Sequence, residues 1–336
     1  MPVIRKIVML SGIAALLGAC SNTGINSAWM EEYQAKLASK KISQVVIPGS
    51  HFSNAYYLQD NKNPIVCIGE TRDDSLSTNA KIAKLIQNYP DVNQQDFTDY
   101  LNTQDTNITG QLNAGSRYLE LQLCQQDTMY YSSNYYLTDN FDSIIKQIKN
   151  FIADNTQEII FIDFDNNLRA EYGLMSDNDI NNFHNYLQMS FGSYLTPKQD
   201  WQNLTFSKLW DSKHRIILLS SNPTFSRYYD VLNKSEVVKS DGVPYYTTIK
   251  KLTAIQQQLA NNGESSVKNQ LMITPTYTWF DPARNSFTQL ESFNNDHLIF
   301  DYLYSLPVNN ALNIIVGDRS YSSNVVDYAI QTNAKR

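Results

Sequence analysis

Short apolar runs alternate along this chain with longer segments whose apolar residues recur at helical spacing. The runs that read as strands are QVVIP (44–48), RYLELQL (117–123), TMYYSS (128–133), EIIFIDF (158–164), RIILLSS (215–221), PYYTTI (244–249), QLMITPTYT (270–278) and LNIIVGD (312–318). Several are apolar at successive rather than alternate positions, as expected of strands covered on both faces. Between them, 141–154 places Ile144, Ile145, Ile148, Phe151 and Ile152 on one face of a helix. Similar patterns occupy 177–189, 248–260, 296–305 and 324–332. Doubly covered strands separated by helices predict an α/β fold, a parallel (β/α)8-type TIM barrel, with an open doubly wound sheet as the alternative. No glycine-rich phosphate loop follows any run, which counts against a nucleotide-binding version of that alternative. The long polar stretch 54–111 reads as an elaboration of the first strand-to-helix connection, which in a barrel lies on the catalytic face.

Functional residues of a barrel collect at the C-terminal ends of its strands. Four features fall there: His51 after the first run, Gln122 near the end of the second, Ser132 and Ser133 at the end of the third, and Asp318 at the end of the last. First and last strands are neighbours once a barrel closes, so His51 and Asp318 can meet. A carboxylate beside an imidazole fixes its tautomer and stabilises its protonated form, which suits a general base. Taken singly, Pro-Gly-Ser-His is a turn and Asp318 a strand-end residue. Of the other histidines, His184 and His297 fall within predicted helices and read as surface residues, and His214 precedes a strand, at the end where stability is the usual role. Tyr130, Tyr131, Tyr135 and Tyr136 cluster near the third run, either as packing or as a platform for a sugar or headgroup. Glu70, Asp73 and Asp74 read as a solvated loop, and no metal or cofactor is expected.

The N-terminus changes the picture of where such a barrel works. Arg5 and Lys6 precede the apolar stretch IVMLSGIAALLGA, too short to span a bilayer comfortably, and Leu17-Gly18-Ala19-Cys20 follows the lipobox pattern of bacterial lipoproteins. Residues 1–19 are then a signal peptide, Cys20 the lipidated residue, 20–27 a linker and 28–336 one domain. A plain secretory signal or an uncleaved anchor is the alternative. Ser21 and Asn22 rather than an aspartate follow Cys20, so the expected location is the cell envelope at the outer rather than the inner membrane. The formal charge is −6, falling to −8 once Arg5 and Lys6 are removed. An acidic chain argues against nucleic acid as a partner and leaves membrane proximity to the lipid anchor. With Cys20 modified, Cys67 and Cys124 remain as an even pair suited to a disulfide.

Several segments together resemble the X-domain family of phosphatidylinositol-specific phospholipases C. AWMEEYQAKLASKKISQVVIPGSHFS is similar to a Trp-Met helix and a strand ending I-P-G-[ST]-H-D-S, and ITGQLNAGSRYLELQL to the segment Q-L-x-x-G-x-R-[YF]-x-D-x-R. YLTDNFDSIIKQIKNFIADNTQEIIFID, LTFSKLWDSKHRIILLSS and LNIIVGDRSYSSNVVDYAIQTN resemble later segments, the last carrying the family's aspartate. The resemblance implies the distorted TIM barrel of phospholipase-C-like phosphodiesterases. It also implies a histidine base at His51 oriented by Asp318, and a phospholipid or other phosphodiester headgroup as substrate. The match is incomplete. Gln122 stands where the family has a phosphate-neutralising arginine, Ser132 where it has the histidine that protonates the leaving group, and Ser133 where a glycine follows. Phe52 replaces an aspartate, and Glu120 conservatively replaces another. Gln122, Ser132, Glu120 and Arg319 are the expected substrate contacts, with Arg319 or Arg72 as candidates for the missing charge. Three readings stay open: a slow or divergent phosphodiesterase, an inactive barrel that binds a headgroup or glycan, and a structural envelope lipoprotein without a small ligand.

Overall fold

The structure is a computed structural model that describes residues 26–56, 101–134, 136–164, 168–171, 173–198, 201–237, 239–242, 271–274, 304, 312–318 and 325–336. Eight strands form one parallel sheet: β1 (Ile47–Ser50), β2 (Tyr118–Glu120), β6 (Ile160–Asp163), β8 (Ile216–Ser220), β9 (Val231–Asn233), β10 (Lys239–Gly242), β11 (Leu271–Thr274) and β12 (Leu312–Gly317). Four more, β3 (Leu123–Gln126), β4 (Met129–Asn134), β5 (Tyr136–Asn140) and β7 (Leu168–Ala170), form a smaller sheet.

The order in the large sheet is β10-β11-β12-β1-β2-β6-β8-β9. Read around a circle from β1, that is the order of the strands along the chain. The decisive ladder is between the first and the last strand, which run parallel with Ser50 opposite Gly317. An open doubly wound sheet has its first strand in the middle and no reason to seat the last against it, whereas a (β/α)8 barrel requires that pairing. Among the described residues the circle is interrupted at one place, between β9 and β10. The fold is a distorted TIM-type barrel.

Strand-face parity separates the core into two parts. Ile47, Tyr118, Phe161, Ile217, Leu219, Leu232, Ile314 and Val316 point inward and pack with Trp29 and Met30, which close the barrel from below. Leu119, Ile160, Ile162, Ile216, Leu218 and Val231 point outward against helices. The helix Phe141–Asp154 meets them with Ile144, Ile148 and Phe151, and its Asn140 cap accepts a hydrogen bond from Asp142 N. Gly49 is required where β1 and β2 touch, because a Cβ there would lie 2.5 Å from the Tyr118 carbonyl oxygen.

Two sequence expectations are corrected. The run at 128–133 is not a barrel strand but β4, antiparallel to β3, with Leu123 opposite Ser132. The spacing forbids the other arrangement, since parallel neighbours need a crossover of about a dozen or more residues. The run at 117–123 accordingly breaks into β2 and β3. A barrel strand is supplied instead by β9, Val231-Leu232-Asn233, too short and polar-flanked to register as a periodic signal. The runs and helices expected at 244–249, 248–260 and 296–303 lie outside the described residues.

Candidate functional site

His51 is the first residue beyond β1, and Asp318 the first beyond β12. The ladder between these strands brings together two groups 267 positions apart, with His51 Nδ1 2.7 Å from Asp318 Oδ1. Both are buried, Asp318 completely. The backbone is held as firmly as the ring. His51 N donates to Gly317 O at 3.0 Å. The His51 carbonyl accepts from Gln104 Nε2 at 2.7 Å and Thr103 Oγ1 at 3.0 Å, while Gln104 also reaches Gly317 O. Gln104 thus staples the ends of the two strands together. Sequence reasoning placed this residue in polar loop, and its only signal was the proximity of that loop to the first strand.

A neutral imidazole that donates Nδ1–H to Asp318 leaves the Nε2 lone pair free to take a proton. Nε2 faces Glu120 Oε2 at 3.9 Å, beyond hydrogen-bonding distance. Burial pulls the His51 pKa down, but the Asp318 and Glu120 carboxylates and the Asp318 hydrogen bond outweigh it, so the net shift is upward from 6.5. The nearby Lys234 ammonium works in the opposite sense.

Phe52, the family-deviant residue, has φ +40°, a left-handed backbone that costs a side-chain-bearing residue roughly 1–2 kcal/mol. Its ring stacks on the imidazole with centroids 3.9 Å apart. Ser53 tightens the same turn, its hydroxyl lying 2.7 Å from Ser50 Oγ.

The inward positions of neighbouring strands carry further charge. Asp163, at the end of β6, accepts from the Tyr118 hydroxyl at 2.6 Å and pairs with Lys234 Nζ at 2.5 Å. Sequence reasoning missed Asp163 and Lys234. The aspartate was hidden within an apolar run, and the lysine follows a strand that was not recognised.

The remaining expected contacts divide. Gln122 sits just past β2, half-buried, with its backbone N–H on Asn54 Oδ1 at 2.8 Å and its carbonyl accepting from Ser133 N. Ser132 is fully buried and its hydroxyl is engaged by Thr138 Oγ1 and Asp139 O. It belongs to the β4–β5 pair rather than to a barrel-strand end, and contacting a phosphate would require that arrangement to open. Arg319, Arg72, Cys20, Cys67, Glu70, Asp73, Asp74, Tyr135 and His297 lie outside the described residues. Cys124 is disulfide-bonded.

His184 is corrected: it is not a surface residue but is buried, with Nε2 2.8 Å from Asp230 Oδ1 and its ring stacked on Tyr228 at 3.8 Å. A helical pattern alone could not reveal that a loop covers this face. His214 lies below β8, hydrogen-bonded to Ser212, and burial with the adjacent Arg215 lowers its pKa. Tyr136 is fully buried, and Tyr130 packs on Phe183 and Tyr186, so these tyrosines serve packing.

Comparison with known proteins gives a consistent result. The sequence profile of the phosphatidylinositol-specific phospholipase C X domain matches residues 94–222. This span holds Glu120 and Gln122 but neither His51 nor Asp318. The mouse PI-PLC X domain-containing protein 2 is 26% identical over 208 residues, 60% of this chain and 56% of that protein. The chain spans little more than half the length of this relative and of the zebrafish (Danio rerio) PI-PLC X domain-containing protein 3. Among solved structures, a mutant phosphatidylinositol-specific phospholipase C from Staphylococcus aureus superposes with a TM-score of 0.62 at 15% identity, covering 91% of this chain and 97% of that one. The enzyme from Listeria monocytogenes gives 0.56 at 16% identity, covering 91% and 98%. The fold is therefore shared along nearly the whole chain, the sequence signature over its middle.

Proposed function

Because the chain is a relative of the phosphatidylinositol-specific phospholipases C, we propose that it is a divergent phosphodiesterase acting on a phospholipid headgroup or a similar phosphodiester. One observation carries the reading: the buried His51–Asp318 pair at the C-terminal mouth of the barrel, with Nε2 available. In the reaction, His51 Nε2 takes the proton of a hydroxyl next to the phosphorus, or of water. The freed oxygen forms a bond to phosphorus, the bond to the alcohol leaving group breaks, and Asp318 stabilises the resulting imidazolium.

Two parts of the family's machinery are weak here. Gln122 offers phosphate a neutral donor in place of a cation, a loss of the kind that costs on the order of 10²–10³ in rate. Ser132 is no acid near neutrality, and a missing general acid costs on the order of 10²–10⁴. The leaving alkoxide then takes its proton from solvent, and turnover is slow. These same replacements support a second reading, a barrel that binds headgroups without cleaving them. We further propose that Cys20 is lipidated and holds the domain at the bacterial envelope, at the outer membrane. Mass spectrometry of the mature N-terminal peptide tests this, and an unmodified Cys20 would sink it.

The function is tested with soluble protein beginning at Ser21 and its His51→Ala variant, incubated with phosphatidylinositol and a panel of phosphodiester lipids. Phosphorus NMR would show cyclic or open phosphate products from the first protein and none from the second. Products of equal amount from both, or none from either at high protein concentration, would remove the enzyme reading.

A further inference from the structure

We propose that Lys234 supplies, from the opposite wall of the barrel, the positive charge against the phosphate that position 122 lacks. This deepens the reading above and rests on it for the identity of the ligand.

The placement follows from strand parity. His51, Glu120, Asp163, Lys234 and Asp318 each lie two residues beyond an inward-facing position: Gly49, Tyr118, Phe161, Leu232 and Val316. Four of those five belong to the apolar core inside the barrel. The charged groups therefore form one layer, resting on that core and facing the mouth. Lys234 is not swung outward to water. Its side chain is buried, and its Nζ meets the inward Asp163 on β6, two strands away. Asp163 is itself anchored by the Tyr118 hydroxyl. These contacts run from the end of β9 to β6 and on to Tyr118 of β2, the strand beyond which Gln122 leaves the family's cation position neutral.

The charges on the layer demand such a group. Asp318, Glu120 and Asp163 are three carboxylates, and the ligand brings another negative charge. Among the described residues of this layer, Lys234 is the one permanent cation. Its field reaches the imidazole, where it opposes protonation of His51. A cation felt at His51 is also felt by a phosphate held beside His51. Lysine suits the position as a compact point charge on a long stem. In the transition state the same ammonium faces the charge that builds on the equatorial oxygens.

A purely structural ion pair is the competing account, and the test separates the two. Four proteins are compared: the soluble domain, Lys234→Arg, Asp163→Asn, and Asp163→Asn/Lys234→Met. The double variant removes both charges of a buried pair and so avoids stranding one of them. The probe is myo-inositol 1-phosphate, its binding followed by calorimetry, with thermal unfolding recorded in parallel. The expected result is a Kd roughly 10–100-fold weaker in the double variant than in Asp163→Asn, in keeping with loss of a charge-assisted hydrogen bond. Lys234→Arg should stay within about threefold of the unsubstituted domain, since the charge is kept. The His51 pKa, followed by NMR, should rise when Lys234 is removed, a readout that mere loss of packing would not move. Equal Kd values for Asp163→Asn and the double variant overturn the proposal, as does failure of the unsubstituted domain to bind the probe. If the Kd difference appears but no lipid is turned over, Lys234 stands and the enzyme reading falls. Turnover with no Kd difference leaves the reverse.

Discussion

The barrel holds buried charge at both ends, and the two ends are wired differently. Below the sheet, Arg117 and Glu158 form an ion pair at 2.6 Å with no solvent exposure. Every N–H of that guanidinium is engaged: Nε on Glu158, Nη1 on the Leu112 and Ser116 carbonyls, Nη2 on those of Asn26 and Ser27. Glu158 also accepts from Glu31 N. Burial pushes the Arg117 pKa down and the Glu158 pKa up, and each partner pulls the other back. At the mouth, by contrast, His51 is oriented on one side only, and its Nε2 has a carboxylate at 3.9 Å and no closer partner among the described residues. Saturation marks a charge that holds the fold, whereas one-sided satisfaction marks a charge kept in reserve for a ligand. Of the two arginines in the motif R-[YF]-x-D-x-R, which RYLELQ at 117–122 resembles, only the saturated one, Arg117, is retained.

Substitutions at the two ends should therefore fail in different ways. The largest effect is expected at the mouth. Asp318→Asn keeps the shape of the pair but loses the charge that stabilises the imidazolium, so kcat should fall roughly 10²–10⁴-fold. The urea midpoint should move little. A matching loss of stability would mean the mouth is as structural as the base. Next, Arg117→Met strands Glu158 in the interior and should cost about 3–5 kcal/mol by equilibrium unfolding. Whatever domain remains folded should retain its turnover number, and a drop in kcat for folded protein would blur the contrast. Gln122→Arg restores a cation to the family position and should raise kcat about 10–100-fold, read from initial rates of phosphodiester cleavage. No gain would indicate that Lys234 already fills the role.

The smallest effect is a displaced pH profile. The His51 pKa is raised by folding, so the protonated imidazole adds stability below about 6.5 and loses it as pH rises through the higher folded value. The base form appears over that same interval. The acid limb of kcat/KM should consequently have its midpoint above 6.5, with activity climbing while the mouth's contribution to stability declines. A limb at or below 6.5 would show that the carboxylates do not govern the ring.

The sequence made parts of this arrangement legible for identifiable reasons. His51 and Asp318 could be paired because a closed barrel must seat its first and last strands side by side. The helix Phe141–Asp154 matched its expected bounds because a long amphipathic period and an asparagine cap agree. Lys234 was invisible, since β9 is three residues long and its neighbours are polar. Ser132 was assigned to the wrong kind of strand because an apolar run announces a strand without announcing its partner. The four-residue gap before it held that information. His184 shows the same limit for helices: periodicity identifies the buried stripe, but not a covering loop that hides one more residue.

The β1–β12 ladder has a consequence for how the protein comes into being. Its reactive pair joins groups 267 residues apart, so the site closes only after one of the longest loops the chain can form. At a synthesis rate of about 5–20 residues per second, His51 emerges from the ribosome tens of seconds before Asp318 exists. Until then its imidazole lacks the orienting carboxylate, and β1 has β2 alone to pair with. The unfinished polypeptide has no assembled His51–Asp318 pair, and a product truncated anywhere before the final described strand has none either.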